Sequence, residues 1–262
     1  MSKGYFLVLE GLGGSGKTTL CDRIEQWFAN AAIPCVRTFE PGGTPAANFL
    51  RKLCRQGIPD AEELTPMAEA LLFTAARAQH VETVVKPALE RGEVVLCDRY
   101  VLSTFAFQGI GRGLSLYTLD KIHNAAIGLN PDMTVIMEGN PEVFAGRISD
   151  KEKGSDQFDN WALERNQRIQ DYLGTVAQQD PGIYYPVDAE QDADQVFAQI
   201  LPLLMRIQND RFKRPKSCAS IKVPPSVLSS VVPGKVENKG IFDTSGEKEK
   251  CNGCGNQCKK IS

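Results

Sequence analysis

The sequence predicts an α/β fold, a five-stranded parallel sheet with helices on both faces. Three observations carry that reading. Five short apolar runs, YFLVLE (5–10), CVRTFE (35–40), VVLCDR (94–99), MTVIME (133–138) and GIYYPVDA (182–189), alternate with stretches of helical periodicity. Most of these runs lack polar–apolar alternation, as strands buried on both faces should. The first run also feeds directly into a glycine-rich loop and then a helical pattern, the order expected of a parallel sheet with covering helices.

The first helix follows from Leu20, Ile24, Trp27 and Phe28, which recur at helical spacing after the loop. FEPGGT (39–44) turns the chain into a second helix carrying Arg51 and Arg55. In TPMAEALLFTAARAQHVETVVKPALERG, Thr65 is placed to cap, Pro66 takes the first helical position and Gly92 is the stop. Further helices are expected over 115–128, 142–149, 158–178 and 190–207. Beyond Asp210 the chain is rich in Lys, Ser, Pro and Gly and loses helical periodicity. Residues 1–210 therefore read as the folded domain and 211–262 as a disordered tail.

A chain of 262 residues can bury the core of one large α/β domain or of two small ones. Its formal charge of −2 gives no general attraction to nucleic acid or to anionic membrane. That figure hides an asymmetry: residues 1–208 carry 19 Lys and Arg against 27 Asp and Glu, whereas 209–262 carry 11 against 5. A mildly acidic body bears a basic tail. No apolar run reaches the roughly 18 residues of a membrane span, and GYFLVLEG is too short for a signal peptide. The expectation is a soluble cytoplasmic protein with neither a nucleic-acid nor a membrane partner. Cys21, Cys35, Cys54 and Cys97 read as small apolar residues kept reduced. In the tail, Cys218, Cys251, Cys254 and Cys258 could in principle make a Cys₄ zinc site. With one C-x-x-C, 32 residues between Cys218 and Cys251 and no histidine in the tail, a redox-sensitive flexible segment is the preferred reading.

Gly11-Leu12-Gly13-Gly14-Ser15-Gly16-Lys17-Thr18 satisfies G-x-x-x-x-G-K-[ST] between a strand and a helix. The glycines let backbone N–H groups converge on phosphate oxygens at the helix N-terminus. Lys17 reaches the β- and γ-phosphates, and the Thr18 hydroxyl suits Mg²⁺. A triphosphate donor follows; its acceptor does not, since water, a protein side chain or a second small molecule would all serve. Phe73 and Arg77 lie four residues apart on one helical face, an aromatic plate beside a guanidinium that suits a flat base. DRYVLSTFAFQGIGRG (98–113) starts at the carboxyl end of a strand, where open α/β sheets bind ligands. Taken singly, each has a bland alternative. Phe73 could be core, Arg77 a solvated helix residue, Asp98-Arg99 a structural ion pair and EPGG a turn.

Together, LEGLGGSGKTT, EPGGT, LLFTAARAQH, DRY, ST and FQG, in that order, resemble the bacterial thymidylate kinases over about residues 3–205. The resemblance implies a P-loop nucleoside-monophosphate kinase fold with strand order 2-3-1-4-5. It implies ATP as donor, dTMP as acceptor, Mg²⁺ and a homodimer. Carried over residue by residue, it puts Gly11, Leu12, Gly13, Gly14, Ser15, Gly16, Lys17, Thr18 and Thr19 at ATP. It makes Lys17, Asp98, Arg99 and Arg147 the catalytic set, with Thr18 and Asp98 at the metal. Glu10 falls near the dTMP sugar, Arg51 at the acceptor phosphate, Arg99 between the two phosphate groups, and Phe73 and Arg77 at thymine. Tyr100, Ser103, Thr104, Phe107 and Gln108 line the nucleoside pocket.

Some positions depart from the family's pattern. The lid stretch GRISDKEKGSDQFDN (146–160) has Lys151 and Lys153 where arginines are frequent, and Asp156-Gln157-Phe158-Asp159 for D-R-[FI]-E. Lysine cannot reproduce a bidentate guanidinium contact, which leaves Arg147 as the lid arginine. Glu138 stands where aspartate is common and Phe107 where tyrosine is frequent; Phe107 can exclude a ribose 2′-hydroxyl only sterically. These departures keep two alternatives open: a P-loop kinase for another deoxynucleoside monophosphate, and a weakly active nucleotide sensor or scaffold.

Overall fold

A computed structural model of the chain describes residues 4–56, 62–148 and 162–210, all within one unit, Met1–Val231. Five parallel strands, β1 (Tyr5–Glu10), β2 (Cys35–Phe39), β3 (Val94–Asp98), β4 (Met133–Glu138) and β5 (Tyr184–Asp188), form one sheet in the order β2-β3-β1-β4-β5. Both the strand count and the order agree with expectation. β1 is buried along its whole length, as the central strand should be: Leu7 registers with Leu96 on one side and Met133 on the other. Pro186, which cannot donate to a ladder, sits on the edge strand β5. The core gathers around this sheet, with Phe6, Leu9, Ile24, Phe28, Phe105 and Phe144 among its fully buried side chains. Cys21, Cys54 and Cys97 are buried, and burial raises the Cys54 thiol to about 12, in line with their reading as small apolar residues.

Helix α1 (Lys17–Asn30) buries Leu20, Cys21, Ile24 and Phe28, and α2 (Pro45–Gln56) follows the FEPGGT turn. Thr65 caps α3 (Pro66–His80) as expected, its hydroxyl accepting from Ala68 N at 3.3 Å. The single helix expected up to Gly92 is instead interrupted. A π-helical turn, Val81–Val85, separates α3 from α4 (Lys86–Glu90). Pro87 has no N–H to give and its ring crowds the carbonyl four residues back, so the wider turn falls just before it. Gly92, at φ +79°, ends the run.

The sequence after β3 predicts no helix, yet this segment forms α5 (Val101–Thr104) and a π-helical stretch, Phe105–Gly111. Its β-branched, aromatic and glycine residues carry little helix propensity. A tertiary contact compensates: Glu10 Oε1 accepts from Tyr100 N (2.8 Å) and Ser103 N (3.0 Å), satisfying donors at the start of α5. Then come α6 (Leu116–Ala126, capped by Ser115), α7 (Pro141–Arg147, capped by Asn140), α8 (Leu163–Ala177) and α9 (Ala193–Asp210). Lys151, Lys153, Asp156–Asp159 and the tail from 211, with Cys218, Cys251, Cys254 and Cys258, lie outside the described residues. Among the described residues, no helix is long and apolar enough to cross a membrane.

His123, buried on α6 with its ring edge-on to Tyr100 at 5.8 Å, is driven down to about 4 by burial and then by the Arg77 charge. An unfolded chain binds this proton near pH 6.5 and the folded chain does not. Stability is therefore complete above pH 6.5 and falls as pH drops toward 4, by about 3 kcal/mol from this group. Urea midpoints at pH 7 and pH 4.5 should differ less in His123→Asn than in the parent; equal differences would remove His123 from the acid response.

Candidate active site

The P-loop leaves β1 at Gly11 and enters α1 at Lys17. Two glycines are required there. A Cβ on Gly14 would lie 2.1 Å from the Phe144 carbonyl oxygen, and Gly16, at φ +90°, takes the left-handed conformation that admits the chain to the helix. Lys17 is buried and folds back on the loop, donating to Gly11 O (3.1 Å), Leu12 O (2.6 Å) and Ser15 Oγ (3.3 Å). Burial, then the Arg99 guanidinium, lowers its ammonium to about 7. Thr18 Oγ1 donates to Asp98 Oδ2 at 3.3 Å, while Asp98 Oδ1 is buried with no hydrogen-bond partner among the described residues. A hydroxyl beside a carboxylate oxygen lacking a donor fits a hard divalent cation such as Mg²⁺.

Three openings border the loop among the described residues: an open groove of about 1060 Å³ lined by Thr18, Arg37, Asp98 and Arg99, and two further cavities. The larger of these two, about 970 Å³ including its mouth, is lined by Leu12, Gly13, Phe73, Arg77, Arg99 and Gln108 among others. The smaller, about 600 Å³, is bounded by Ser15, Gly16 and Thr19 on one side and by Arg147, Ala189 and Gln191 on the other. A loop with a phosphate-binding backbone between two cavities can hold one nucleotide on each side.

In the larger cavity the structure brings together Arg51, Phe73, Arg77, Arg99, Tyr100, Ser103, Thr104, Phe107 and Gln108, nine of the ten residues expected at the acceptor. Arg77 is 4% exposed; its Nε donates to Glu40 Oε2 (2.6 Å), and its Nη2 to Thr104 Oγ1 (2.9 Å) and Tyr100 O (3.2 Å). Arg51 donates to Pro41 O at 2.9 Å and lies 5.2 Å over the Phe39 ring. Arg99 has φ +70°, uncommon for a residue with a side chain, and its guanidinium rests 5.1 Å over Phe107 with Nη1 3.2 Å from Ser103 Oγ. Tyr100 also borders the cavity, and its hydroxyl is engaged elsewhere, donating to Leu129 O at 2.9 Å.

Glu10 is the exception. It is 1% exposed and does not border the cavity; its carboxylate accepts from Tyr100 N, Ser103 N and Ser103 Oγ (2.6 Å). It positions the turn that carries pocket residues, and burial raises its pKa. Arg147 borders the smaller cavity, with Nη1 on Ala189 O (2.6 Å) and Nη2 on Glu190 O (2.7 Å). Sequence reasoning singled out the stretches holding Glu40 and Arg55 without giving either a role, and missed Asn166 on the larger cavity, Gln191 and Asp192 on the smaller, and the buried carboxylate of Glu69. For Glu40 a signal existed, since an acid follows the carboxyl end of β2 just as Asp98 ends β3.

The thymidylate kinase family model matches residues 9–200. Among similar proteins, a thymidylate kinase of Thermomicrobium roseum is 40% identical, the match spanning 77% of this chain and 97% of that one. A thymidylate kinase of Halalkalibacterium halodurans is 37% identical over 78% and 97%. The chain belongs to the thymidylate kinase family. The crystal structure of thymidylate kinase from Ehrlichia chaffeensis superposes with a TM-score of 0.63 at 26% identity, covering 77% of this chain and 99% of that one. The match of this thymidylate kinase family member to the family model thus falls within residues 1–210, and the relatives are matched over nearly their full lengths.

Proposed function

We propose that this protein transfers the γ-phosphoryl group of ATP to the 5′-phosphate of dTMP, giving ADP and dTDP. The supporting observation is the pair of cavities bordering the P-loop, one of them lined by both Phe73 and Arg77 from α3. Residues 1–210 form the kinase domain in this reading, and the donor occupies the smaller cavity.

The mechanism asks for positioning and charge neutralisation rather than covalent help. Lys17, released from Gly11 and Leu12 carbonyls, takes the donor's phosphates. Thr18 and Asp98 would hold Mg²⁺, which would supply positive charge at the donor phosphates. Arg51 grips the acceptor phosphate, and Arg99, which borders both the larger cavity and the groove containing Thr18 and Asp98, spans the two phosphate groups. The attacking oxygen is already anionic, so no strong base is needed. Arg147 contributes to transfer only if its two bonds to Ala189 and Glu190 carbonyls give way; as it stands it walls the donor cavity. Phe49, Leu71 and Tyr117, exposed on the adjoining helices α2, α3 and α6, support the homodimer usual in the family. The cytoplasm is the compartment that supplies both nucleotides.

A coupled ADP-release assay with dTMP, dUMP, dCMP and dGMP in parallel tests the reading. Turnover should favour dTMP. Preference for another monophosphate would overturn the acceptor, and tight ATP and dTMP binding without turnover would leave a sensor. Lys17 adds a pH signature. In the free protein its ammonium is half-neutral near pH 7, and an arriving phosphate restores the charge, so ATP binding takes up a proton. The Kd for ATP should rise about tenfold per pH unit between pH 7.5 and 9. Calorimetry in buffers of differing ionisation enthalpy measures the uptake directly. A Kd flat across that window would show that Lys17 stays charged throughout.

A further inference from the structure

One buried carboxylate beside the larger cavity has no part in phosphoryl transfer. Glu69, on the first turn of α3, is 0% exposed. Its Oε1 accepts from Gln108 Nε2 at 2.8 Å and its Oε2 from Arg112 Nη2 at 2.6 Å. Gln108 borders the base end of the larger cavity and is itself only 2% exposed.

A glutamine amide has a donor end and an acceptor end of almost the same shape, so its partner decides which way it points. Paired with Arg112, the Glu69 carboxylate has only acceptors to offer. It therefore takes the amide NH₂ of Gln108 and leaves the amide oxygen for the cavity. Arg77 completes the pattern. Its Nε and Nη2 are committed to Glu40, Thr104 and Tyr100, which leaves Nη1 as a donor. One donor and one acceptor on the lining of the same cavity match a base edge carrying a carbonyl next to a ring N–H, as thymine and uracil do. Cytosine presents the reverse, an amino group next to a bare ring nitrogen.

We infer that Glu69 is a positioning residue for base selection: by holding the Gln108 amide in one orientation, it makes the site accept a lactam pyrimidine and reject an aminopyrimidine. This rests on the assignment of the larger cavity to a pyrimidine monophosphate. Glu69 touches no substrate and acts through Gln108, so its loss should alter which base is taken rather than the phosphoryl transfer itself.

The test is the ratio of kcat/KM for dTMP to that for 5-methyl-dCMP, two substrates alike except for the inverted edge. Glu69→Gln can offer either end of its own amide, which frees Gln108 to turn. The ratio should fall at least about tenfold, through a higher KM for dTMP and a lower one for 5-methyl-dCMP, with kcat for dTMP within about threefold. In a Gln108→Leu background the same substitution should leave the ratio unchanged. If Glu69→Gln alone does not fold, the charge-matched pair Glu69→Gln/Arg112→Gln carries the same expectation. A ratio within threefold of the parent, or a fall in kcat shared by both substrates, overturns the inference while leaving dTMP kinase activity standing. A parent enzyme that does not turn over dTMP would instead fail the functional reading itself.

Discussion

Replacing Arg99 by alanine is expected to lower kcat for phosphoryl transfer by about 10²–10³-fold, the loss typical of removing one group that stabilises transition-state charge. Arg99→Lys should recover little, because a point ammonium cannot span two phosphate groups as a planar guanidinium can. The backbone supplies a second, independent signature. Arg99 sits at φ +70°, directly after the strand-ending Asp98, and its N–H donates to Leu9 O at 2.8 Å. A side chain in that conformation costs about 1–2 kcal/mol that glycine does not incur. Arg99→Gly should therefore be more stable than Arg99→Ala by about 1 kcal/mol while being equally inactive. Chemical denaturation of the two variants, with steady-state kinetics, reads both quantities. Equal stabilities would mean the turn relaxes when the arginine is removed; an active alanine variant would remove Arg99 from the phosphate path.

Arg99 also shows what was legible in the sequence. The P-loop, the five strands and the Thr65 cap are each written in a few consecutive residues, because each depends on local hydrogen bonds or on hydrophobic period. The acid at the end of each strand is similarly visible: Glu10, Asp98, Glu138 and Asp188 close β1, β3, β4 and β5, and Glu40 follows β2. What those acids do is not visible. Glu10 pins Tyr100 and Ser103 some 90 residues away, whereas Asp98 keeps one oxygen without a hydrogen bond. The same carboxylate chemistry at equivalent strand ends yields a buried brace in one case and an oxygen lacking a donor in the other, and only the packing above each strand decides.

The same reasoning accounts for the helix missed at 101–111. Its own residues disfavour a helix, and the bonds that hold it come from Glu10 on another element. Buried polar pairs such as Gln108 with Glu69, or Arg77 with Glu40, join residues 39 and 37 positions apart with no pattern between them. Arg147 lay in the expected lid segment, but the carbonyls that engage it belong to the loop after β5. Local pattern finds the phosphate site; it cannot find the supports that orient the residues around it.

Arg77 carries the other large effect. Arg77→Met is expected to raise the KM for dTMP by about 10²-fold, since a site built to hydrogen-bond a base loses affinity steeply when one partner is removed. It should also destabilise the fold by about 3–5 kcal/mol, because Glu40 is 2% exposed and loses its guanidinium. Glu40 would retain only His80, whose Nδ1 lies 2.8 Å from Oε1 and whose Nε2 meets Thr38 Oγ1 at 2.6 Å. The two losses have separate origins and can be separated. Adding Glu40→Gln to Arg77→Met neutralises the stranded carboxylate and should restore most of the stability without restoring KM. If KM recovers along with stability, Arg77 matters only as the counter-ion of Glu40 and the base is read by something else; if neither recovers, the chain from Thr38 through His80 to Glu40 needs the carboxylate itself, and the guanidinium is only one of its partners.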